Sequence, residues 1–318
     1  MSNYNLAERA FHKLSLKNNF IKKALFEIEK IFFLKKTKFI DEKKIFITGL
    51  PRSGTTILLN FLYNTNEFAS LTYSNMPLLL SPNLSKIFSK KKITKKLRAH
   101  KDGIFYNSES PEAFDEVFFK TFSESEILME LKNYINLILI SKNKKNYLSK
   151  NNLNYKRITL IQKVFPEAKF IIPVRDPIQQ SYSLLNQHLN FINLQKKDNF
   201  TLWYMNTLSH NEFGLNHKPW HIPKFYNDKN DINYWLEQWI LFYQTSFKNF
   251  LTNKNCKFII YENFSNKETI SNLSKFINIE IECSSKFTIN KKILDFNTDK
   301  LLTKKCYSLY SELSENSL

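Results

Sequence analysis

The sequence holds only four glycines and three cysteines in 318 residues. So little glycine excludes collagen-like and low-complexity architectures. Cys256, Cys283 and Cys306 are an odd number with no C-x-x-C pair, so neither a disulfide scaffold nor a cysteine-rich zinc site is indicated. Long apolar runs are missing too. Residues 134–140 and 170–174 fall far short of the ~20 residues that cross a bilayer. The first nine residues contain no apolar stretch and no small-residue cleavage site. The expectation is a soluble, cytoplasmic protein with no transmembrane segment.

Acidic residues are also few, 29 against 47 Lys and Arg, for a net charge of +18. Such a balance permits an anionic partner but does not identify one. Lys, Asn, Ile, Phe and Tyr are all abundant, the bias of an AT-rich coding sequence. Runs such as Lys90-Lys91-Lys92 therefore read mainly as solvated loop. No arginine-aromatic alternation or basic recognition helix appears, so no nucleic-acid partner is expected. The abundance of aromatic residues, 29 Phe among them, excludes global disorder.

Periodicity organises the chain. Residues 1–40 read as a helical extension, with Leu14, Ile21, Leu25, Ile28 and Phe32 at helical steps. Ile45-Phe46-Ile47-Thr48 reads as a buried strand, and 57–62 as helix again. Residues 81–110 look like basic loop. Pro111, with Ser110 as N-cap, reads as the start of a helix. Helices are expected at 124–140, 154–164, 178–190, 231–251 and 268–277, and strands at 169–174 and 257–261. Residues 192–230 look irregular. Trp235, Trp239 and Tyr243 recur at four-residue steps and read as core. The alternation of strands and helices implies a three-layer αβα domain with a central parallel sheet, taken as one unit over 41–318.

Between the first strand and its helix lies Gly49-Leu50-Pro51-Arg52-Ser53-Gly54-Thr55-Thr56, which holds two of the four glycines. The spacing is that of the phosphate-binding loop G-x-x-x-x-G-K-[ST], with Thr55 in place of the lysine. Gly54 lets successive amides turn towards an anion at a helix N-terminus. Without the lysine the loop is poorly equipped for a triphosphate, whereas Arg52 suits a shorter anionic group. A second element follows the 169–174 strand. Arg175 is separated from Ser183 by eight residues, ~12 Å of rise along a helix. The two can flank one phosphate only if Asp176-Pro177 turns the chain first.

Pro51-Arg52-Ser53-Gly54-Thr55-Thr56, with Arg175 and Ser183, resembles the sulfotransferases that use 3′-phosphoadenosine 5′-phosphosulfate (PAPS), in particular their bacterial branch. Residues 110–116, 149–152, 165–170 and 260–264 also resemble family segments, so the likeness spans roughly 44–280. It implies a P-loop-like fold and transfer of a sulfuryl group to a hydroxyl or amine, leaving adenosine 3′,5′-bisphosphate. Residues 51–56 would hold the 5′-phosphosulfate, and Arg175 and Ser183 the 3′-phosphate. Arg52 would stabilise charge on the leaving phosphate, and Lys150 would approach the sulfuryl group. No metal is expected. The acceptor would be a glycan, a lipid or a small metabolite.

A hydroxyl acceptor needs a general base. Tyrosine-sulfating relatives keep a glutamate beyond the loop, where this chain has Thr72-Tyr73-Ser74-Asn75-Met76. Glu112 and Glu116, four apart and expected on one helix face, are the first candidates. His100 is the next, and His210, Glu212, His217 and His221 form a further cluster without zinc-site spacing. Two other readings stay open: a P-loop nucleotide kinase, and a non-catalytic polyanion-binding protein.

Overall fold

Ile45, Phe46 and Ile47 are all buried, as a strand apolar on both faces must be when helices cover the sheet on each side. The computed structural model describes residues 6–34, 42–88, 94–98, 103–208, 210–281 and 297–318. Helices α1 (Leu6–Lys17) and α2 (Asn19–Phe33) come before β1 (Lys44–Ile47). The chain continues through α3 (Thr55–Asn64), β2 (Phe68–Ala69), α4 (Pro82–Phe88), β3 (Lys96–Leu97) and β4 (Phe105–Tyr106). Then come α5 (Glu116–Thr121), α6 (Glu124–Lys142), β5 (Asn146–Lys150), α7 (Ile158–Val164) and β6 (Lys169–Val174). The last third holds α8 (Pro177–Lys197), α9 (Asn199–Thr207), α10 (Ile232–Phe250), β7 (Cys256–Ile260), α11 (Lys267–Ile277) and α12 (Lys300–Glu315).

Five strands form a wholly parallel sheet in the order β2-β5-β1-β6-β7. In register, Ile47 lies beside Lys150 on one side and Ile171 on the other. Alternation divides the side chains between two faces. Ile45, Ile47, Leu148 and Ile171 pack with Leu58, Leu62 and Leu273 from α3 and α11. Phe46, Tyr147 and Phe170 pack on the opposite face with α6 and α7, and Ile172, Val174, Phe258 and Ile260 with α10 and α12. Phe46 and Phe170 stack at 5.2 Å between ring centroids. This is the three-layer αβα arrangement expected, and its parallel sense brings the C-terminal ends of β1, β5, β6 and β7 to one edge.

Among the described residues of 1–40 there are two helices, because Asn18 stops the first and caps the second, accepting from the Phe20 N–H at 2.8 Å. Several expectations need correction. No helix begins at Pro111. Residues 108–112 pair instead with the 71–74 segment: the Tyr73 N–H donates to Ser110 O and the Glu112 N–H to Leu71 O. That pairing uses the donors and holds the chain extended until α5. Residues 81–110 include α4 and the β3–β4 hairpin rather than loop alone. Residues 192–230 are helical in their first part, since α8 runs on to Lys197 and Asp198 caps α9. The segment 154–164 opens as a 3-10 turn before α7. Strand β5 and helix α12 are elements that periodicity does not signal.

Helix α2 lies against α6, and its Phe26 ring meets Phe118 and Phe122 edge-on. Its Glu29 carboxylate is buried and accepts from the N–H groups of Asn83 and Leu84, the start of α4. Burial pushes its pKa up, opposed by these hydrogen bonds.

Removal of the stacked ring at the sheet centre tests this packing. Phe46→Ala is expected to cost ~3–5 kcal/mol in urea unfolding.

Candidate functional site

The loop after β1 is shaped by three residues at positive φ, Gly49 at 144°, Arg52 at 68° and Gly54 at 95°. For arginine this conformation costs ~1 kcal/mol, so surrounding contacts must impose it. Gln180 Nε2 of α8 donates to Pro51 O at 3.0 Å. Ser53 turns its hydroxyl inward to Leu50 O at 2.8 Å. A Cβ on Gly54 would stand 2.5 Å from the Tyr261 ring. Only glycine lets that aromatic close over the loop. Gly54 caps α3, and its turn directs the first helical amides, with Thr55 and Thr56, towards the sheet edge.

The second predicted element meets the first at Arg52. Arg52 Nε donates to Ser183 Oγ at 2.8 Å, and Arg175 Nη1 donates to Arg52 O at 3.1 Å. Arg175 and Ser183 thus converge across the 175–177 turn. Arg175 also lies 4.8 Å over the Tyr261 ring, a cation–π contact. Its Nε is buried with no hydrogen-bond partner among the described residues, a donor left for an anion. Asp176 caps α8 and receives the Tyr307 hydroxyl, while its N–H donates to Glu262. Trp239 and Tyr243, read as core, are fully buried but also position Gln180, since Trp239 Nε1 donates to Gln180 Oε1 at 3.0 Å.

On the other side of Arg52 opens a cavity of ≈ 100 Å³. It is lined by Pro51, Arg52, Thr55 and Thr56 of the loop and by Glu112, Lys150, His210 and Glu212. Two residues without a sequence signal, Tyr73 and Arg98, complete its polar lining. Glu112 is the hub, with Arg98 Nη2 at 2.9 Å, Lys150 Nζ at 3.5 Å and the Tyr73 hydroxyl donating at 3.2 Å. Burial pulls the Lys150 pKa down, helped by Arg98 and opposed by Glu112 and Glu212. Glu212 faces His210 at 3.6 Å. Burial would raise its pKa, but His210 and Lys150 outweigh that and hold it low, so it stays ionised.

The other candidates separate. Glu116 does not share a helix face with Glu112, which precedes α5. It accepts two bonds from Arg157, at 2.6 and 2.7 Å, and a third from Asn151. It is not among the residues lining the cavity. His100 lies outside the described residues. Ser183 contacts the loop, not the cavity.

The loop bearing Glu212 is held by two neutral histidines. His217 Nδ1 donates to Glu212 O at 2.7 Å and its Nε2 accepts from the Tyr234 hydroxyl. His188 Nδ1 accepts from the Gly214 N–H at 3.2 Å. Among the described residues, no group of acids, histidines and cysteines has the arrangement of a metal site. None of the described helices is long and apolar enough to cross a membrane.

Fold and site together define an α/β protein of P-loop-like fold, with a glycine-turned loop at the C-terminal edge of a parallel sheet. The sequence model of the "Sulfotransferase family" matches residues 44–221, more than half of the chain, and the protein belongs to that family. Its reaction is sulfuryl transfer to an acceptor. Two solved structures share the fold: sulfotransferase STF1 of Mycobacterium tuberculosis H37Rv and STF9 of Mycobacterium avium. The first aligns at a TM-score of 0.53 and 11% identity, over 87% of this chain and 79% of that one. The second aligns at 0.50 and 11%, over 98% and 79%. No curated protein matches the sequence.

Burial pushes the pKa of His188 and of His217 down to about 4. Unfolded, they would take up protons near pH 6.5, while folded they stay neutral to about 4. Stability is therefore expected to fall as pH drops through that window. The dependence of Tm on pH between 7 and 4.5 should be shallower in His217→Gln than in the parent.

Proposed function

We propose that the sulfuryl donor is PAPS and that residues 51–56, Arg175 and Ser183 bind it. The observation carrying this reading is the convergence on Arg52: Ser183 on its side chain, Arg175 on its carbonyl, and a buried Arg175 Nε without a partner. The loop amides and the Thr55 and Thr56 hydroxyls suit the 5′-phosphosulfate, and Arg175 with Ser183 suits the 3′-phosphate. The absence of a lysine at 55 speaks against a nucleotide kinase. The family assignment speaks against a non-catalytic polyanion binder.

Sulfuryl transfer, by analogy with phosphoryl transfer, needs alignment and charge stabilisation more than covalent help. Arg52 and the loop amides are placed to meet negative charge growing on the leaving phosphate. Lys150 reaches the same cavity, and Glu112 orients it with Arg98. Because three side-chain donors and the Ala113 N–H engage Glu112, we assign it to holding these cations. Glu116, committed to Arg157, serves the loop after β5. His210, oriented by ionised Glu212, is the proton acceptor. This scheme invokes no metal. We place the reaction in a bacterial cytoplasm, where the buried thiols of Cys256 and Cys306 would stay reduced.

Thermal unfolding with adenosine 3′,5′-bisphosphate, 5′-AMP, 3′-AMP and ATP tests the donor. At a hundred times its Kd a ligand adds ~2.7 kcal/mol of stability. The bisphosphate alone is expected to raise Tm clearly, and Arg175→Ala or Ser183→Ala to remove the rise. An equal response to ATP with Mg²⁺ would reinstate the kinase. For the base, His210→Gln is expected to lower kcat by ~10²-fold or more. It should leave the bisphosphate response intact. If kcat persists in His210→Gln and is lost in Glu112→Gln, the base is Glu112.

A further inference from the structure

The cavity beside Arg52 has a mixed lining. Besides its charged groups it is lined by Phe114, Phe191, Tyr204, Met205, Leu208 and Phe213. Helix α8 links the loop to the apolar lining, since Ser183, Gln187 and Phe191 follow at steps of four and share one face. Ser183 touches Arg52, Phe191 belongs to the apolar wall, and Gln187 lines the cavity between them. Gln187 is only 3% exposed, and its Nε2 has no hydrogen-bond partner among the described residues. A buried amide donor left this way is unfavourable unless something in the cavity accepts from it.

We propose that this cavity seats the acceptor, and that the acceptor is a neutral alcohol or phenol with a compact apolar body and a second oxygen that accepts from Gln187. The proposal rests on the donor reading of the neighbouring loop. Charge and size both select for it. An anionic acceptor meets Glu112 and Glu212, and an ammonium meets Arg52, Arg98 and Lys150. Either would also have to lie against the apolar wall, where an uncompensated charge is costly. A free volume of ≈ 100 Å³ is on the scale of one substituted ring, not of an oligosaccharide. In the reaction the acceptor oxygen bonds to sulfur as the bond from sulfur to the bridging phosphate oxygen breaks. The hydroxyl proton passes to His210, and the bisphosphate leaves with the electron pair.

Four para-substituted phenols of similar size test this: 4-methoxyphenol, 4-ethylphenol, 4-hydroxybenzoate and tyramine. Binding is measured by calorimetry on free and bisphosphate-loaded protein, and sulfation with PAPS. The neutral pair is expected to bind and be sulfated, with the methoxy compound favoured by about tenfold for one added hydrogen bond. The benzoate and tyramine are expected to bind at least tenfold more weakly. In Gln187→Leu the methoxy preference should vanish while the bisphosphate response persists. Gln187→Met repeats the comparison should the leucine variant unfold. Tighter binding of a charged phenol, or no binding of either neutral one to free or loaded protein, overturns the acceptor class. A methoxy preference that survives both substitutions overturns the role of Gln187. If the phenols bind as expected but the bisphosphate has no effect, the donor reading fails and the apolar seat stands.

Discussion

Arg52 joins the loop after β1 to the turn that opens α8. Its guanidinium reaches Ser183 on α8 while its carbonyl accepts from Arg175 at the end of β6. Loop and helix therefore cannot shift independently. The cost is a left-handed arginine, a conformation that L-residues hold only when the surroundings over-determine it. Here the surroundings do so. Gln180 fixes the carbonyl before Arg52, Ser53 closes the loop on itself, and Tyr261 covers Gly54 and stacks beneath Arg175.

That arrangement depends on the sheet. In a parallel sheet every strand delivers its C-terminal end to the same edge, and ligands collect where the strand order changes direction. Strand β1 is central, with β5 on one side and β6 on the other. The loop, Lys150 and Arg175 leave neighbouring strands within a side chain's reach of each other. The aromatic helix α10 then serves two purposes. Trp239 fills the core, and its indole N–H also holds Gln180, so the packing that stabilises the fold also sets the loop.

The legible parts of the sequence are those with local signals. The β1 loop carries its own glycines, and the Arg175 turn its own Asp-Pro, so residue type and spacing alone place both motifs. Pattern also suffices for β1, β6, β7, α6 and α10. It fails where tertiary pairing decides the outcome. Ser110-Pro111 has the form of a helix start, yet the 71–74 segment takes its backbone into a bridge. Strand β5 is hidden because Tyr147, Leu148 and Ser149 sit among Asn and Lys that read as loop. Arg98 and Tyr73 escape notice for a related reason. Nothing in their neighbourhoods marks them until Glu112, distant in sequence from Tyr73, draws both into one cavity.

Glu112 shows why spacing alone misassigns the acids. Four residues from Glu116, it suggests a shared helix face, but the helix begins only at Glu116 and the two carboxylates serve different partners. Glu116 forms a bidentate pair with Arg157, a geometry that fixes structure. Glu112 lies among two cations and a phenol in a site where burial already weakens the charge of Lys150. Buried cations need such a counter-charge, since desolvation would otherwise outweigh any use made of them. A carboxylate so engaged supports the charge of Lys150, and protonating it would leave Arg98 and Lys150 without that anion. Glu212 lies in the same field: burial would raise its pKa, but His210 and Lys150 hold it low.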